Sequence, residues 1–351
     1  MLAITLADLR MRSRQFLIAV VGAGLTFALA LLLSGMVAGF HNEIDRTVAS
    51  ADADGWVLRT GTSGPFTSVS GIPGSTVDEL ASDADVDDAS GMVISLQSVF
   101  TEDLDRPLRI MMIGTEVGRP GQVAPERGEP VGGDDEAVAD ERLGLDIGET
   151  FTLGGREFEV VGLVSGMTML GGTPNAWISL PAAQEALFQG EDIVTTIVVR
   201  GEPEALPAGF TLMTNEEVEE DSLGPMKDAV SSVDASRYLM WAVATIIVAA
   251  LIYVSALQRT RDFAVLKAVG ASSVSLFLGV AIQAVLVCLA AAAFAFAVSG
   301  FLRPLYKVPV EVPGTAYLLM PVIATGVGIL SSLVALRQAV KADPALAFGG
   351  A

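Results

Sequence analysis

Four uncharged, apolar runs divide the chain, at residues 16–40, 238–257, 274–302 and 315–336. Each run exceeds the roughly 18 apolar residues that a helix needs to cross a bilayer at about 1.5 Å per residue. A buried helix in a large soluble core explains one such run poorly and four hardly at all. The pattern therefore predicts a membrane domain of four transmembrane helices, all of it α-helical.

The first run has a second interpretation, as a cleaved signal peptide. Arg10, Arg12 and Arg14 precede it, and an Ala-Ser-Ala triplet follows at 49–51. The apolar part of a signal peptide usually has about 7–15 residues, with the cleavage site directly behind it. Here the run is 25 residues long and residues 41–46 intervene before the triplet. We therefore expect the run to stay as an anchor.

Basic residues near the ends of the runs predict the orientation, because Lys and Arg are more frequent in cytoplasmic flanks. Both termini and the loop at 258–273 share one side, and that side carries the larger group: Arg10, Arg12, Arg14, Arg259, Arg261, Lys267, Arg337 and Lys341. The opposite flanks carry Arg46, Lys227, Arg237, Arg303 and Lys307. The pattern predicts a multi-pass protein of the plasma or inner membrane with both termini cytoplasmic.

The segment between the first two runs holds the acidity of the chain. Residues 41–232 contain 36 Asp and Glu against 10 Lys and Arg, a net charge of −26, whereas the whole chain has −20. Such a surface excludes nucleic acid and anionic headgroups as partners. It could attract a cationic substrate or partner, but a solvated, self-repelling surface is the more ordinary interpretation.

In the same segment, apolar and polar residues alternate as they do in β-strands. Residues 151–153 and 158–164 flank Gly154-Gly155 and predict a β-hairpin. Further strands are predicted at 176–180 and 193–200, and a short helix at 181–188 with Pro181 at its start. We expect three parts: residues 1–40 with the first span, an extracytoplasmic α+β domain at 41–233, and three spans at 234–351.

Residues for catalysis are almost absent. The one histidine is His41 and the one cysteine is Cys288, in the middle of the third run. No His-based triad, zinc pair or disulfide can be built, and no Gly-Lys-Ser/Thr phosphate loop occurs. We expect no catalytic, cofactor or metal site in this chain. Any energy for work would come from another subunit, and an enzyme facing outward is disfavoured.

The loop at 258–273 has the most specific pattern. Phe263, Leu266 and Val269 are three apart on one face of a short amphipathic helix, and Gly270 suits a left-handed stop. Ser272 or Ser273 can cap the next helix.

This loop resembles the FtsX-like permease family, where an arginine and an acid precede an apolar-Leu-x-x-x-Gly-Ala-Ser string. The resemblance implies a helix that couples the chain to an ATPase through Arg259, Arg261, Asp262, Phe263, Leu266, Lys267 and Gly270. The family usually has Glu at the position of Asp262, so its salt bridge would have a shorter reach.

Three other stretches extend the resemblance over nearly the whole chain. Residues 2–14 look like the family's amphipathic N-terminal helix, 136–164 resemble the MacB-type periplasmic core domain, and 335–347 resemble the C-terminal basic helix with Arg337, Asp343 and Pro344. Residues 343–350 are similar to the end of actinobacterial four-span permeases, some of them labelled for glutamine transport.

The resemblance implies the permease subunit of an ABC transporter. A separate nucleotide-binding subunit would bind ATP and Mg²⁺, and its motion would be relayed to the outer domain for export of an unknown substrate. A homodimer in the lipid bilayer is expected, together with an extracytoplasmic substrate or binding protein.

Two alternatives stay open: an FtsX-like transmitter that regulates an envelope partner, and an amino-acid permease. No ionisable residue lies inside a run, and Gln283 with scattered Ser and Thr are the polar residues there. This favours transmission of motion over a path for a charged solute. Gly35 and Gly39 form a GxxxG that could pack a dimer, although packing within the chain is the simpler reading.

Overall fold

The computed structural model describes residues 13–101, 107–258, 265, 269–270, 272–306 and 309–341. The chain forms two compact units. The first comprises the described residues up to Ala38 and from Ala229 onward, and the second comprises Gly39–Asp228.

Four long helices contribute to the first unit. They are α1 (Ser13–Ala49), α5 (Lys227–Gln258), α6 (Ser273–Leu302) and α7 (Gly314–Lys341), and a 3₁₀ turn (Arg303–Leu305) follows α6. In the described part of the chain, four helices are long and apolar enough to cross a membrane. This confirms the four predicted spans.

Two of these helices are longer than the apolar runs within them. The first span was predicted to end at residue 40, but α1 continues to Ala49. The second was predicted to begin at 238, but α5 begins at Lys227. The physical reason is that hydropathy detects only the lipid-facing part of a helix, while residues 41–49 contain no Gly or Pro to end it.

Small residues bring the four helices close together. Alanines such as Ala23, Ala244, Ala284 and Ala324 are buried in a common core. A Cβ on Gly328 of α7 would lie 2.8 Å from the Cα of Val285 on α6, so only glycine allows that approach. Dispersion contacts between close backbones are the main attraction between helices in lipid.

Gly35 packs within its own chain. Its carbonyl accepts a hydrogen bond from the backbone N–H of Glu311 at 2.8 Å, and a Cβ there would lie 2.8 Å from Val312. The first glycine of the GxxxG pair therefore serves an intrachain contact with the segment before α7.

The second unit is a mixed sheet with helices on both faces. Its helices are α2 (Ser75–Ala81), α3 (Leu180–Phe188) and α4 (Asn215–Leu223), with 3₁₀ turns at Glu141–Leu143 and Gly224–Met226. Its strands are β1 (Gly55–Arg59), β2 (Ile72–Pro73), β3 (Val86–Phe100), β4 (Leu108–Thr115), β5 (Arg127–Gly128), β6 (Glu136–Asp140), β7 (Thr150–Leu153), β8 (Arg156–Val164), β9 (Thr168–Met169), β10 (Thr173–Ser179), β11 (Ile193–Val194), β12 (Thr196–Gly201) and β13 (Phe210–Thr214).

The strand order mixes distant parts of the chain. Within the described residues, the main sheet runs β13-β1-β12-β3-β4-β10-β6-β8-β5, with β7 on β3 and β8 and β9 on β10. Most neighbours are antiparallel, but β10 is parallel to β4 and β6 is parallel to β8. The α+β character of the inserted domain is confirmed.

Alternate residues of the central strands enter two separate cores. Ala176 and Ile178 of β10 face one core with α2 and α3, whereas Trp177 faces the other. The second core receives Ile44 and Val48 from the end of α1 and Val218 from α4. Because both faces are covered, these strands are apolar almost throughout.

The predicted hairpin is confirmed, since Phe151 pairs with Phe158 across β7 and β8. The predicted helix at 181–188 is α3, which begins at Leu180 and is capped by Ser179. One strand prediction was wrong. The stretch 193–200 is two strands, interrupted at Thr195, whose hydroxyl accepts a hydrogen bond from Ile94 N at 2.8 Å. β11 instead pairs with β2 in a small second sheet.

Candidate functional site: a buried polar junction on α1

Most of the residues of the predicted coupling helix, and two residues of the predicted C-terminal signature, lie outside the described residues. These are Arg259, Arg261, Asp262, Phe263, Leu266 and Lys267 in the loop, and Asp343 and Pro344 in the tail. Arg337 lies in α7, but its side chain is also outside the described part. Their roles stay predictions.

The end of the loop matches its predicted geometry. Gly270 has a φ of 101°, in the left-handed region that favours glycine. The Ser272 hydroxyl accepts a hydrogen bond from Ser275 N at 3.2 Å and caps α6. Of the two candidate caps, Ser272 is therefore the one used. Val269, on the predicted docking face, is 84% exposed.

The end of α1 contributes the best-defined polar site of the described chain. Its residues Phe40, Glu43, Ile44, Thr47 and Val48 recur at intervals of three and four, and all are buried within the second unit. Phe40, Ile44 and Val48 are apolar, as expected for such a face. Glu43 and Thr47 are polar and need partners, because a buried polar group without one costs free energy.

Glu43 is a buried carboxylate that contacts Arg142 and Thr168. Its Oε1 lies 2.8 Å from Nη1 of Arg142, and its Oε2 accepts a hydrogen bond from the Thr168 hydroxyl. The Glu43 side chain is 2% exposed and that of Arg142 is 32% exposed. The charge of Glu43 is thus neutralised away from water by a residue 99 positions further along the chain.

Arg142 is presented by a short turn that Asp140 organises. Asp140 ends β6, and its side chain accepts hydrogen bonds from the backbone N–H of Arg142 at 3.0 Å and of Met167 at 2.9 Å. Burial raises the pKa of Asp140, while these two N–H groups and the Arg142 charge oppose that rise. Asp140 therefore fixes the turn of Arg142 and the loop of Thr168 together.

A second polar contact lies one turn further along α1. Thr47 donates its hydroxyl to the carbonyl of Glu43 at 2.9 Å and accepts from Nδ2 of Asn175 on β10 at 3.0 Å. Both side chains are buried. We call the set Glu43, Thr47, Asp140, Arg142, Thr168 and Asn175 the polar junction. Because hydrogen bonds are directional, the polar junction fixes the rotation and the height of the last turns of α1, residues 39–49, against the sheet of the same unit.

The loop from β8 to β10 needs an unusual backbone to reach α1. Gly166, Gly171 and Gly172 have positive φ, and Leu170 has a φ of 50°. A branched aliphatic residue rarely adopts that region, so the surrounding contacts must hold it there. The loop carries Met167 and Thr168, both of which contact junction residues through hydrogen bonds.

The exposed side of the same helix meets α4 through two acids. Glu219 shares a side-chain hydrogen bond with Asp45. Burial, then the charge and hydrogen bond of Asp45, and then the charge of Glu216 raise the pKa of Glu219. α4 is itself anchored to the domain by Asp221, which accepts from Gly64 N at 2.8 Å. The residues that precede α5 therefore contact the residues that end α1.

The chemistry of the junction is structural. Its groups are two carboxylates, a guanidinium, two hydroxyls and an amide, without a nucleophile activated by a base. In the described part of the chain no group of three or more His, Cys, Asp and Glu could hold a metal ion. What the junction can do is keep the last turns of α1, residues 39–49, and the sheet in one arrangement within the second unit.

Sequence reasoning missed this site. Residues 41–46 follow the predicted end of the first span, yet the buried positions 40, 43, 44, 47 and 48 keep a helical period through them. That period was the available signal for a longer helix. Nothing in the sequence pointed to Arg142 as the partner of Glu43.

Comparison with known proteins identifies the family. The MacB-like periplasmic core domain family matches residues 16–211, and the FtsX-like permease C-terminal family matches 237–344. An uncharacterised ABC transporter permease of Mycobacterium bovis is 34% identical over 350 residues and covers all of both chains. The chain belongs to the FtsX/MacB family of ABC transporter permeases. A second such permease, from Mycobacterium tuberculosis, is 33% identical over the same length.

Solved structures similar to this permease are outer domains. The periplasmic region of MacB from Actinobacillus actinomycetemcomitans matches with a TM-score of 0.35 and 12% identity, over 48% of this chain and 91% of the other. The extracellular domain of YknZ from Gram-positive bacteria matches with a TM-score of 0.35 and 10% identity, over 45% of this chain and 98% of the other. The four membrane-capable helices and the match to the MacB-like periplasmic core domain family show that the permease is a membrane protein with an extracytoplasmic domain.

Proposed function

We propose that this permease relays the ATP-driven motion of separate nucleotide-binding subunits to its outer domain, for export of a substrate. The observation that carries the proposal is the continuity of α1. One helix runs from the apolar stretch to Ala49, and its last turns are fixed in the outer domain by the polar junction. A rotation or shift of α1 would therefore move the sheet with it.

The hydroxyl groups of the described spans support a relay over a pore. The uncharged runs contain Ser and Thr, and in the described part most of these hydroxyls donate to a carbonyl of their own helix, such as Thr26 to Ala23 and Ser34 to Ala30. Ser331 donates to the carbonyl of Thr245 on another helix. These groups serve helix packing. An amino-acid permease would need polar groups that face a substrate.

The nucleotide-binding subunit would dock on the 258–273 loop at the cytoplasmic side. Support comes from the exposed Val269 and from the stop and cap formed by Gly270 and Ser272, which leave the loop short and bounded. ATP and Mg²⁺ would bind that subunit. Two copies of the permease would pair with two such subunits, with both termini in the cytoplasm.

The docking step is tested with the complex of the permease and its ATPase in proteoliposomes. Phe263→Asp and Leu266→Asp each place a charge on the docking face and are expected to abolish stimulation of ATP hydrolysis by the permease. Ala268→Asp, on the opposite face of the predicted helix, is the matched control and should leave it unchanged. Full stimulation in both docking-face variants would contradict the proposal.

An export function and a signalling function give different results in the same system. If the permease is a transmitter to an envelope partner, the nucleotide-binding subunits would hydrolyse ATP only when that partner is present. If the permease is an exporter, ATP hydrolysis would be stimulated by the exported substrate. Stimulation of ATP hydrolysis by glutamine would favour the amino-acid alternative.

A further inference from the structure

A groove between α1, α5 and α7 is not used by the relay proposed above. It has a volume of about 420 Å³ and lies at the ends of these helices nearest Ala38 and Arg237. Its inner wall is formed by Leu31, Trp241, Met320 and Ile323. All of these residues belong to the first unit.

The groove changes from apolar to charged along its length. Its inner wall carries no charged residue, and Ser34 in it already donates its hydroxyl to Ala30 O at 2.8 Å. Arg237 stands at the outer rim, directly before the uncharged run 238–257. Its guanidinium lies 5.2 Å from the ring centroid of Tyr238, and its Nη2 lies 3.0 Å from Oδ1 of Asp234. An apolar wall with a charged rim matches the polarity of an amphiphile, which has an apolar tail and a polar headgroup.

The size of the groove selects a thin occupant. A second protein helix is about 10–12 Å across with its side chains, which is wide for a groove lined by three helices at this volume. An alkyl chain is much thinner and can extend along the whole groove. The bilayer supplies such chains from the side.

The charged residues at the outer rim indicate which lipid headgroup would fit there. Arginine binds phosphate through several N–H donors in one plane, and Tyr and Trp favour the level of the headgroups. Asp234 lies one turn before Arg237 and has a side chain 36% exposed, so it can meet an ammonium group beside that phosphate. We propose that the groove binds a zwitterionic phospholipid, with one acyl chain between α1, α5 and α7 and the phosphate on Arg237.

Tryptophan fluorescence tests the position of the acyl chain. The full chain is reconstituted in phosphatidylethanolamine vesicles with brominated acyl chains, and the Trp241 signal is obtained by difference from Trp241→Phe. The other two tryptophans, Trp56 and Trp177, are buried in the second unit. Bromine quenches only by contact, so Trp241 should be quenched in the wild type and much less in Ala316→Phe, which fills the groove.

The control uses the neighbouring face of α7. Leu318 is 77% exposed and does not line the groove, so Leu318→Phe should leave the quenching unchanged. Equal quenching in the wild type and in Ala316→Phe would overturn the proposal. Disulfide cross-linking of Leu319→Cys between two copies, with Trp241 unquenched, would overturn it too, because a second copy would then cover the groove.

The headgroup is tested without filling the groove. Wild-type protein purified in detergent should retain phosphatidylethanolamine in preference to phosphatidylglycerol, measured by native mass spectrometry. The double variant Arg237→Gln with Asp234→Asn removes both charges and should reduce the retained phosphatidylethanolamine roughly tenfold. Wild-type protein that retains no phospholipid, or equal retention by the double variant, contradicts the assignment.

Discussion

Arg142 neutralises the buried carboxylate of Glu43 in the polar junction. Arg142→Ala would leave that carboxylate 2% exposed and without its cation. Removal of one partner from a buried ion pair costs about 3–5 kcal/mol, and we expect the lower end because Arg142 is one-third exposed. Denaturant unfolding in detergent measures this free energy, because Trp56 and Trp177 report on the core that contains Ile44 and Val48.

The matched control is an exposed pair on the same turn. Arg127 lies 3.0 Å from Glu141, with side chains 56% and 49% exposed. Arg127→Ala should cost no more than about 1 kcal/mol. If both variants lose the same small free energy, the polar junction does not hold α1 in the way described.

The raised pKa of Glu219 predicts how the stability of the fold changes with pH. Its folded-state pKa is raised above 4.5, so the unfolded chain loses this proton first as the pH rises. The contribution of Glu219 to stability is therefore full below about pH 4.5 and is lost as the pH rises through its folded-state pKa. Glu219→Gln cannot ionise and can still donate to Asp45, so it should melt at a higher temperature than the wild type at pH 7.

The gap between the two melting curves should close below about pH 4.5, where wild-type Glu219 is protonated in both states. Glu220→Gln, an exposed neighbour on α4, removes the same charge without the contact to Asp45 and is the control. A gap of constant size at all pH values would contradict the shared hydrogen bond.

At the scale of elements, the approach of α7 to α6 depends on one glycine. A Cβ on Gly328 would lie 2.8 Å from Val285 Cα and 2.9 Å from Val285 N, so the two backbones must separate. We expect Gly328→Ala to destabilise the helix bundle by about 1–3 kcal/mol. The Cβ that Gly326→Ala adds has no atom within 4 Å, so this control variant should be neutral or slightly stabilising. Unfolding by dodecyl sulfate compares them, and equal effects would contradict the predicted close packing.

The elements differed in how much the sequence could predict. Spans were predictable because lipid demands about 20 apolar residues in a row, and α6 begins within one residue of its run. The hairpin of β7 and β8 was predictable because Gly154-Gly155 turns between alternating strands. The last turns of α1 were missed, since their buried face mixes Glu43 and Thr47 with apolar residues and gives no hydropathy signal.

At the scale of the whole molecule, the candidate site could not be predicted. Glu43 meets Arg142, and Thr47 meets Asn175, only because the sheet places β6 and β10 side by side. That order is set by pairings between strands far apart in the chain, which local patterns do not encode. The loop 258–273 could be proposed as a docking site because its residues are contiguous in the sequence. The family resemblance is confirmed at the level of the whole chain, and the role of the loop stays a prediction.

The central claim is that the polar junction passes motion from α1 to the outer domain. The direct measurement uses the complex with its ATPase in nanodiscs, with a spin label on Val117→Cys, an exposed position of the outer domain, in each copy. We predict an ATP-dependent change in the label-to-label distance for the otherwise wild-type chain and for Arg127→Ala.

The variant with both Glu43→Gln and Arg142→Gln should lose this distance change while ATP hydrolysis continues. Both replacements remain polar, and folding is checked by the same Trp56 and Trp177 signals. A folded double variant that keeps the full ATP-dependent distance change would contradict the account.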